Sequence, residues 1–210
     1  MDYEVPPHDG RALVALAHHC HARGWSLATS GNYSVRGAER SFLITPSGFD
    51  KGLLTVEHLL WVDHDGRALV PGVPSAETLL HAQIYRRRPQ VHCVAHTHSL
   101  AATLISRVFA EEGCLTLSGF EIAKALDGID SHEATVHLPI FTNDQDVGRL
   151  AAHIDEKIGD DSSIHGYLLV GHGLYTWGKD VAETRRHVEA LEFLLNCALY
   201  ACFPPQMARQ

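Results

Sequence analysis

The apolar positions of the chain fall into short runs that predict strands. Residues 91–95 and 167–170 are largely apolar without interruption, whereas residues 134–141 carry an apolar side chain at every second position. An alternating pattern is typical of a strand with one buried face, and an uninterrupted run is typical of a strand covered on both faces. The chain is therefore predicted to contain a sheet whose inner strands are covered on both sides.

Helical periodicity marks the segments between these strands. Apolar residues recur every three or four positions in segments that begin near residues 9, 75, 99, 146 and 180, and residues 119–126 also have a helical pattern. The segment at Asp180 has the clearest start, because Glu183 follows three residues later, as in a capping box. These segments are expected to supply the helices that cover the sheet.

Shorter apolar runs complete the predicted sheet. Residues 41–44 form one short strand, and residues 60–63 and 67–70 are expected to form a hairpin around the turn residues His64-Asp65-Gly66. Strands and helices that are interspersed in this way predict an α/β fold, with a mixed sheet between two layers of helices. One domain over residues 1–210 is expected from the length.

The composition narrows the possible partners. The chain has 210 residues, of which 45% are hydrophobic, and a formal net charge of -8. A nucleic-acid-binding protein normally carries a basic face, so this charge argues against that class. No apolar stretch approaches the ~18 residues that a membrane span requires. The first residues lack the basic and apolar regions of a secretory signal, so a cytoplasmic protein that binds a small molecule is expected.

Three histidines lie at strand ends in a pattern that suits a metal ion. His96 and His98 follow the run 91–95, and residues i and i+2 of an extended strand point to the same side. His172 follows the run 167–170 and is flanked by glycines. Three imidazoles with an open fourth position are typical of a catalytic zinc site. Because the chain contains 16 histidines, the spacing alone leaves open that these three are ordinary buried or turn residues.

Two carboxylates are candidates for acid–base chemistry. Glu77 falls in the first turn of the helix that is predicted after Ser75, and Glu121 lies in an otherwise apolar stretch. A carboxylate in apolar surroundings near a cation has a tuned pKa and can act as a base or an acid. The alternatives are that Glu77 only interacts with the helix dipole and that Glu121 lies on a solvated face.

Small polar loops provide candidate phosphate sites. Backbone N–H groups and hydroxyls of the kind that bind phosphate occur at three places, namely Gly31-Asn32, Ser47-Gly48 and Ser75. Lys51 and Lys124 could add positive charge, although the alternative that each is an ordinary surface lysine is strong. Each loop is a weak signal by itself, because such turns are common.

Five short motifs occur in the order and spacing of the class II aldolase/adducin superfamily. They are Thr29-Ser30-Gly31-Asn32, Thr45-Pro46-Ser47-Gly48, Pro74-Ser75-Ala76-Glu77, His96-Thr97-His98-Ser99 and Gly171-His172-Gly173. The resemblance runs from about residue 9 to residue 202. It implies a three-layer α/β/α fold with a central, largely antiparallel mixed sheet, one zinc ion per subunit, and a cyclic homotetramer with active sites between neighbouring subunits.

Further segments resemble one branch of that superfamily, the bacterial methylthioribulose-1-phosphate dehydratases of methionine salvage. These segments are residues 119–126, 139–146, 173–178 and 190–194. The resemblance implies a hydro-lyase that converts 5-methylthioribulose-1-phosphate to 2,3-diketo-5-methylthiopentyl-1-phosphate. The alternatives are a class II aldolase or 4-epimerase that acts on another ketose phosphate, and a non-catalytic scaffold like the adducin head.

The resemblance also implies roles for individual residues. Residues that match the metal ligands are His96, His98 and His172. Glu121 matches the acid/base of the dehydratases, and Glu77 matches the catalytic carboxylate of the aldolases, which can also reach the metal. Substrate or phosphate contacts are matched by Asn32, Ser47, Gly48, Ser75 and Lys124. Ala76 stands where many sugar-phosphate aldolases carry a second serine, so one phosphate contact is expected to be absent or replaced.

Overall fold

The computed structural model describes residues 5–204, and its centre is an eight-stranded sheet. The strands are β1 (Asn32–Arg36), β2 (Ser41–Ile44), β3 (Leu60–Asp63), β4 (Cys93–Thr97), β5 (Cys114–Leu117), β6 (Val136–Phe141), β7 (Gly166–Leu169) and β8 (Gly173–Gly178). Their order across the sheet is β3-β2-β1-β4-β8-β7-β6-β5. Only β6 and β7 pair in parallel, so the expected largely antiparallel mixed sheet is confirmed.

Helices cover both faces of this sheet. They are α1 (Pro7–Ala22), α2 (Thr78–Arg87), α3 (Leu100–Val108), α4 (Val147–Ile158) and α5 (Val181–Cys202). Helices α2 and α4 pack on one face through buried side chains such as Ile84 and Ile154. The other three pack on the opposite face, where Leu16 and Leu191 are buried. The predicted three-layer α/β/α fold is confirmed.

Strand β4 places the histidines because its side chains alternate between the two layers. Cys93 and Ala95 are buried toward α1 and α5, and Val94 is buried toward α2 and α4. His96 therefore points to the same face as Val94, and Thr97 points to the face of α5. Burial on both faces explains why the sequence of this strand is apolar without alternation.

Two predicted elements differ in the structure. Residues 67–70 are not a strand; an isolated bridge joins Ala68 to Val62, with backbone hydrogen bonds from Asp63 N to Arg67 O and from Leu69 N to Trp61 O beside it. The Asp63 carboxylate accepts hydrogen bonds from the N–H groups of Asp65 and Arg67, which tightens the turn and ends the pairing early. Strand β5 was not predicted, because a short edge strand with a half-buried and an exposed residue has little apolar pattern.

Two helix predictions also change in detail. Helix α2 begins at Thr78 rather than at Ser75, so Glu77 is the N-cap residue instead of a residue of the first turn. Residues 119–126 contain a 3-10 helix at Glu121–Ala125 and no α-helix. The predicted start of α5 is confirmed, since the Asp180 side chain accepts a hydrogen bond from Glu183 N at 2.7 Å.

Residues 1–4 and 205–210 of the predicted single domain lie outside the described residues. Among residues 5–204, no helix combines the length and the apolar character that a membrane crossing needs.

Candidate metal centre and active site

Four side chains converge at the end of strand β4. Glu77, His96, His98 and His172 offer ligand atoms that all lie within 4.8 Å of one another. His96 and His98 lie at the end of β4, His172 lies in the turn between β7 and β8, and Glu77 directly precedes α2. The structure thus brings together the three histidines that the sequence indicated and adds one of the two candidate carboxylates.

The Nε2 atoms of the three histidines point at one another. His96 Nε2 lies 2.7 Å from His98 Nε2 and 3.3 Å from His172 Nε2. His96 Nδ1 donates a hydrogen bond to Leu174 O at 3.0 Å, so a neutral His96 presents a bare lone pair at Nε2. A proton can bridge only one of these nitrogen pairs, whereas a divalent cation satisfies all three nitrogens at once. The donor set therefore fits a metal ion.

The protonation states of the cluster suit a cation. Burial lowers the pKa of His96 well below its usual value and lowers the pKa of His98 to about 4. Burial would raise the pKa of Glu77, but the nearby His96 and His172 outweigh it and hold that pKa well below its usual value. A neutral His96 and His98 beside an ionised Glu77 match the protonation state in which such groups bind metal. Glu77 Oε1 lies 2.9 Å from His172 Nε2.

Helix α3 and a close backbone contact fix the position of His172. Thr103 Oγ1 donates to His172 O at 3.1 Å, and Ser106 Oγ accepts from Gly171 N at 3.0 Å. A Cβ on Gly173 would lie 1.9 Å from Thr97 O, so any other residue there would push β8 away from β4. Gly173 is therefore required by the close approach of β8 to β4 beside His172.

A buried carboxyl group lies beneath the His96-Thr97-His98 segment. Thr97 Oγ1 donates to Glu192 Oε1 at 2.6 Å, and Glu192 on α5 is fully buried. Burial raises the pKa of Glu192 to about 7, although hydrogen bonds with Ser99 and Thr97 act in the opposite direction. Sequence reasoning missed this residue, because a glutamate on a long helix normally lies on the solvated face.

The Glu192→Gln variant is expected to become more stable than the wild type as pH rises from 4.5 to about 7, with the full difference present above pH 7. In the folded state the Glu192 carboxyl keeps its proton up to a pKa of about 7, whereas in the unfolded state it loses the proton near the ordinary value of 4.5. The free energy of unfolding of the wild type therefore falls as pH rises between these two values. The loss is on the order of 3 kcal/mol. Glutamine has the same shape and no charge. Urea unfolding at both ends of this range should show equal stabilities in acid and a more stable variant in base; equal stabilities throughout would contradict the raised pKa.

Two of the predicted phosphate loops are adjacent in the structure. Pro46 and Pro74 form an isolated antiparallel bridge, and Ser47 N donates to Val73 O at 3.0 Å. Ser47 and Gly48 are exposed at this place. On the other loop, Ser75 Oγ accepts a hydrogen bond from Glu77 N at 3.3 Å, so this loop leads directly into the metal cluster.

The side chain of Asn32 lies in the cluster rather than on an open loop. Asn32 is buried, pairs with His96 across β1 and β4, and donates from Nδ2 to Glu77 Oε2 at 2.6 Å. Lys51 is also buried, and its Nζ donates to the carbonyl oxygens of Thr29 and Phe49 at 2.9 and 2.8 Å. Burial lowers the pKa of Lys51 to about 8. The surface-lysine alternative is therefore wrong for Lys51, which joins the first two loops.

Glu121 does not lie in the apolar surroundings that its sequence neighbours indicated. Its side chain is 72% exposed, and Lys124 Nζ lies 2.6 Å from Glu121 Oε1. The hydrogen bond from Lys124 lowers the pKa of Glu121. A 3-10 helix has three residues per turn, so Ala123 and Leu126 face the core together while Glu121 and Lys124 share the outer side. Within one chain, Glu121 is not among the residues of the four-residue cluster.

Tyr175 is a further residue of the site that sequence reasoning did not single out. It pairs with His96 across β4 and β8, and the two rings stack at 3.9 Å with an interplanar angle of 13°. Tyr167 stacks on its other face at 4.9 Å. The tyrosine therefore fixes the plane of the His96 imidazole. The sequence signal that could have indicated Tyr175 is its position two residues after Gly173, because residues i and i+2 of a strand such as β8 lie on the same face.

Comparison with known proteins identifies the family. The family model described as Class II Aldolase and Adducin N-terminal domain matches residues 11–199. The chain belongs to the class II aldolase family. This family member is 53% identical over 189 residues to a protein named methylthioribulose-1-phosphate dehydratase from Sorangium cellulosum (strain So ce56), with 89% of both chains covered. It is 50% identical over 188 residues to a protein of the same name from Xanthomonas euvesicatoria pv. vesicatoria (strain 85-10), with 89% of this chain and 86% of the relative covered. The predicted relation to these dehydratases is confirmed.

Solved structures agree with the fold of this class II aldolase-family protein. The l-fuculose-1-phosphate aldolase from Thermus Thermophilus is 26% identical and superposes with a TM-score of 0.73, covering 91% of this chain and 94% of that one. YgbL from Escherichia coli is 22% identical with a TM-score of 0.74, covering 93% and 90% of the two chains. The second likeness concerns the fold alone.

Proposed function

We propose that this protein dehydrates 5-methylthioribulose-1-phosphate to 2,3-diketo-5-methylthiopentyl-1-phosphate, in methionine salvage and in the cytoplasm. The observation that carries the proposal is the 53% identity to a dehydratase of this name along 89% of both chains. The converging imidazoles beside an ionised Glu77 support it, because the reaction builds up negative charge on oxygens of the sugar. One domain over residues 1–210 belongs to the same proposal.

His96, His98 and His172 are proposed to hold one zinc ion per subunit. When bound, such an ion stabilises negative charge on the carbonyl and hydroxyl oxygens of the substrate as a Lewis acid. Imidazole ligands also accept iron, manganese, cobalt or nickel, so metal analysis of the purified protein is needed to name the native ion. Glu77 either completes the ligand set or assists beside it, and both roles fit its 2.9 Å distance to His172 Nε2.

The loops beside Glu77 are proposed to bind the substrate phosphate. Ser47, Gly48 and Ser75 lie on two loops that the Pro46–Pro74 bridge holds together. Lys51 ties the loop that contains Thr29 and Asn32 to the segment directly after Ser47-Gly48, through Thr29 O and Phe49 O, and adds positive charge. Asn32 is proposed to contribute from the same loop as Gly31. Phosphate binding at such a place holds the reacting carbons in position, which lowers the barrier of the chemical step.

Glu121 is proposed to move the proton, and it is proposed to act on the site of a neighbouring subunit. Its carboxylate removes the proton from C3 and then delivers it to the C4 hydroxyl, which leaves as water, so a single group serves first as base and then as acid. Lys124 is proposed to lie on the substrate side of the same surface. The exposure of Glu121 in one chain agrees with a role across an interface.

An apolar surface next to the metal cluster supports the proposed homotetramer. Leu100, Leu104 and Val108 lie one helical turn apart on α3 and are 70%, 38% and 41% exposed. Phe203 after α5 continues this surface and is 58% exposed. Helix α3 starts directly after His98-Ser99, so a second copy that covers this face would also cover the entrance to the site. Large exposed apolar patches of this kind mark protein interfaces.

The products formed from two substrates test the proposed function. With 5-methylthioribulose-1-phosphate, we expect one water to be lost and the phosphate and the whole carbon chain of the sugar to be retained. With fuculose-1-phosphate or ribulose phosphate, we expect turnover at least about 100-fold slower, because neither carries the methylthio group, whose binding would help to hold the reacting carbons in position. Chromatographic separation followed by mass spectrometry distinguishes the outcomes: cleavage of the C3–C4 bond would identify an aldolase, and a separable isomer of unchanged mass would identify an epimerase.

A further inference from the structure

A chain of buried hydrogen bonds runs from α2 through β1 to Glu77. Asn32 Nδ2 donates to Glu77 Oε2 at 2.6 Å, and His81 Nε2 is hydrogen-bonded to Asn32 Oδ1. Ser34 Oγ lies 2.7 Å from His81 Nδ1 and 2.7 Å from the Tyr85 hydroxyl. Within this chain of hydrogen bonds, Asn32, Ser34 and Tyr85 are buried, and His81 is 0% exposed. None of the proposed catalytic steps uses His81, Ser34 or Tyr85.

Each hydrogen bond in this chain has one possible direction. An ionised carboxylate only accepts, so Asn32 must present its NH2 group to Glu77 and its carbonyl oxygen to His81. That oxygen also only accepts, so His81 carries its hydrogen on Nε2 and offers a lone pair at Nδ1. The one hydrogen of the Ser34 hydroxyl fills that lone pair, so the Tyr85 hydroxyl, which also lies 3.4 Å from His92 O, donates over the shorter 2.7 Å distance to Ser34 Oγ. The burial that lowers the pKa of His81 to about 3 agrees with a neutral ring.

Helix geometry explains why Glu77 and His81 act on the same amide. The two residues are four positions apart at the start of α2, which places them one turn apart on one face. Asn32 reaches between them from the first residue of β1. If His81 did not donate to its oxygen, the Asn32 amide could turn over and direct that oxygen at the Glu77 carboxylate. Two acceptors would then face each other beside the metal ligands.

We propose that His81 is a positioning residue that locks the Asn32 amide and thereby holds the Glu77 carboxylate against the histidine cluster. This inference rests on the proposed dehydratase function for its kinetic consequence. His81 touches neither substrate nor metal in this assignment. Its effect passes through Asn32, and the links from Ser34 and Tyr85 keep the imidazole in the tautomer that donates from Nε2.

His64 provides a matched control. It is also a buried histidine, at 5% exposure, and its ring stacks 6.3 Å from Tyr85. Neither of its ring nitrogens has a hydrogen-bond partner among residues 5–204. His64→Leu therefore removes a buried imidazole that packs on Tyr85 without removing a hydrogen bond of the chain, and it reports the effect of repacking alone.

The kinetic test compares His81→Leu, His81→Gln and His64→Leu in the metal-loaded enzyme with 5-methylthioribulose-1-phosphate. We expect His81→Leu to bind the metal and to lose about 10–100-fold in kcat with little change in KM, as changes to groups that orient metal ligands do. His81→Gln keeps an N–H near the Nε2 position and should recover most of kcat, and His64→Leu should match the wild type. A wild-type kcat in His81→Leu, an equal loss in His64→Leu, or no recovery in His81→Gln would each overturn the proposal.

A second measurement needs no substrate. In the wild-type protein, 15N NMR of the His81 ring should show the neutral Nε2–H tautomer at about pH 5 and at about pH 8, although an ordinary histidine titrates between these values. The Nδ1–H tautomer or a charged ring would overturn the assignment. The tautomer of His81 does not depend on turnover. If the proposed substrate were wrong, the product assay would show it while the His81 ring would still be the neutral Nε2–H tautomer.

Discussion

His172→Ala is expected to abolish metal binding and to leave the fold intact. The variant removes one of three converging Nε2 atoms. Mutations of residues that merely hydrogen-bond to metal ligands already weaken metal binding by about 10–100-fold, so removal of a ligand itself is expected to cause a larger loss. The backbone of the turn keeps its bonds, because His172 N donates to Leu169 O and His172 O accepts from Thr103. Metal analysis after gel filtration should find about one ion per chain in the wild type and almost none in the variant.

Thermal unfolding with and without a chelator separates ligand loss from misfolding. A bound ion stabilises the folded state by mass action, so chelation should lower the Tm of the wild type and leave the Tm of His172→Ala unchanged. His137→Ala is the control, since His137 is an exposed histidine on β6 away from the cluster. The control should behave like the wild type. Full metal content in His172→Ala would remove His172 from the proposed ligand set.

The histidine cluster was predictable from the sequence because strand geometry is local. His96 and His98 end a run that is buried on both faces, and His172 ends another run in the neighbouring part of the sheet. A fixed repeat of two residues per strand then determines which side chains meet. The same logic made the fold class predictable, since the order of helices and strands restricts the layers that can bury them.

The surroundings of the carboxylates were not predictable, because they depend on contacts between distant segments. Asn32 and Glu77 are 45 positions apart, and nothing in either local pattern indicates their hydrogen bond. Lys51 is buried because its Nζ reaches two loop carbonyl oxygens, which a count of charged residues cannot reveal. Glu121 has apolar neighbours in sequence, but the 3-10 turn directs Ala123 and Leu126 inward and leaves the carboxylate on the outer side with the exposed Ile122.

Glu121→Gln is expected to retain the metal and the fold while losing nearly all turnover. Glutamine has the same shape but cannot take up a proton, and general acid–base groups contribute about 10²–10⁴-fold to rates. The substitution replaces an exposed side chain, so stability should change little. Glu133→Gln is the control, because Glu133 is a nearby exposed carboxylate outside the proposed site. Turnover close to the wild type in Glu121→Gln would remove Glu121 from its proposed role.

Mixing this variant with His172→Ala tests whether Glu121 acts on a neighbouring subunit. Each variant alone lacks one essential part of every site. In a cyclic assembly, a site is intact when its metal is held by a Glu121→Gln subunit and its Glu121 comes from an adjacent His172→Ala subunit. Random mixing of equal amounts produces this pairing at about a quarter of the sites, so about a quarter of wild-type activity should be restored. Coexpression with two different affinity tags isolates the mixed assemblies. If Glu121 served the metal of its own chain, every site in the mixture would still lack one part and the mixture would be as inactive as its components. Restored activity would therefore explain why a carboxylate of the active site is 72% exposed in a single chain.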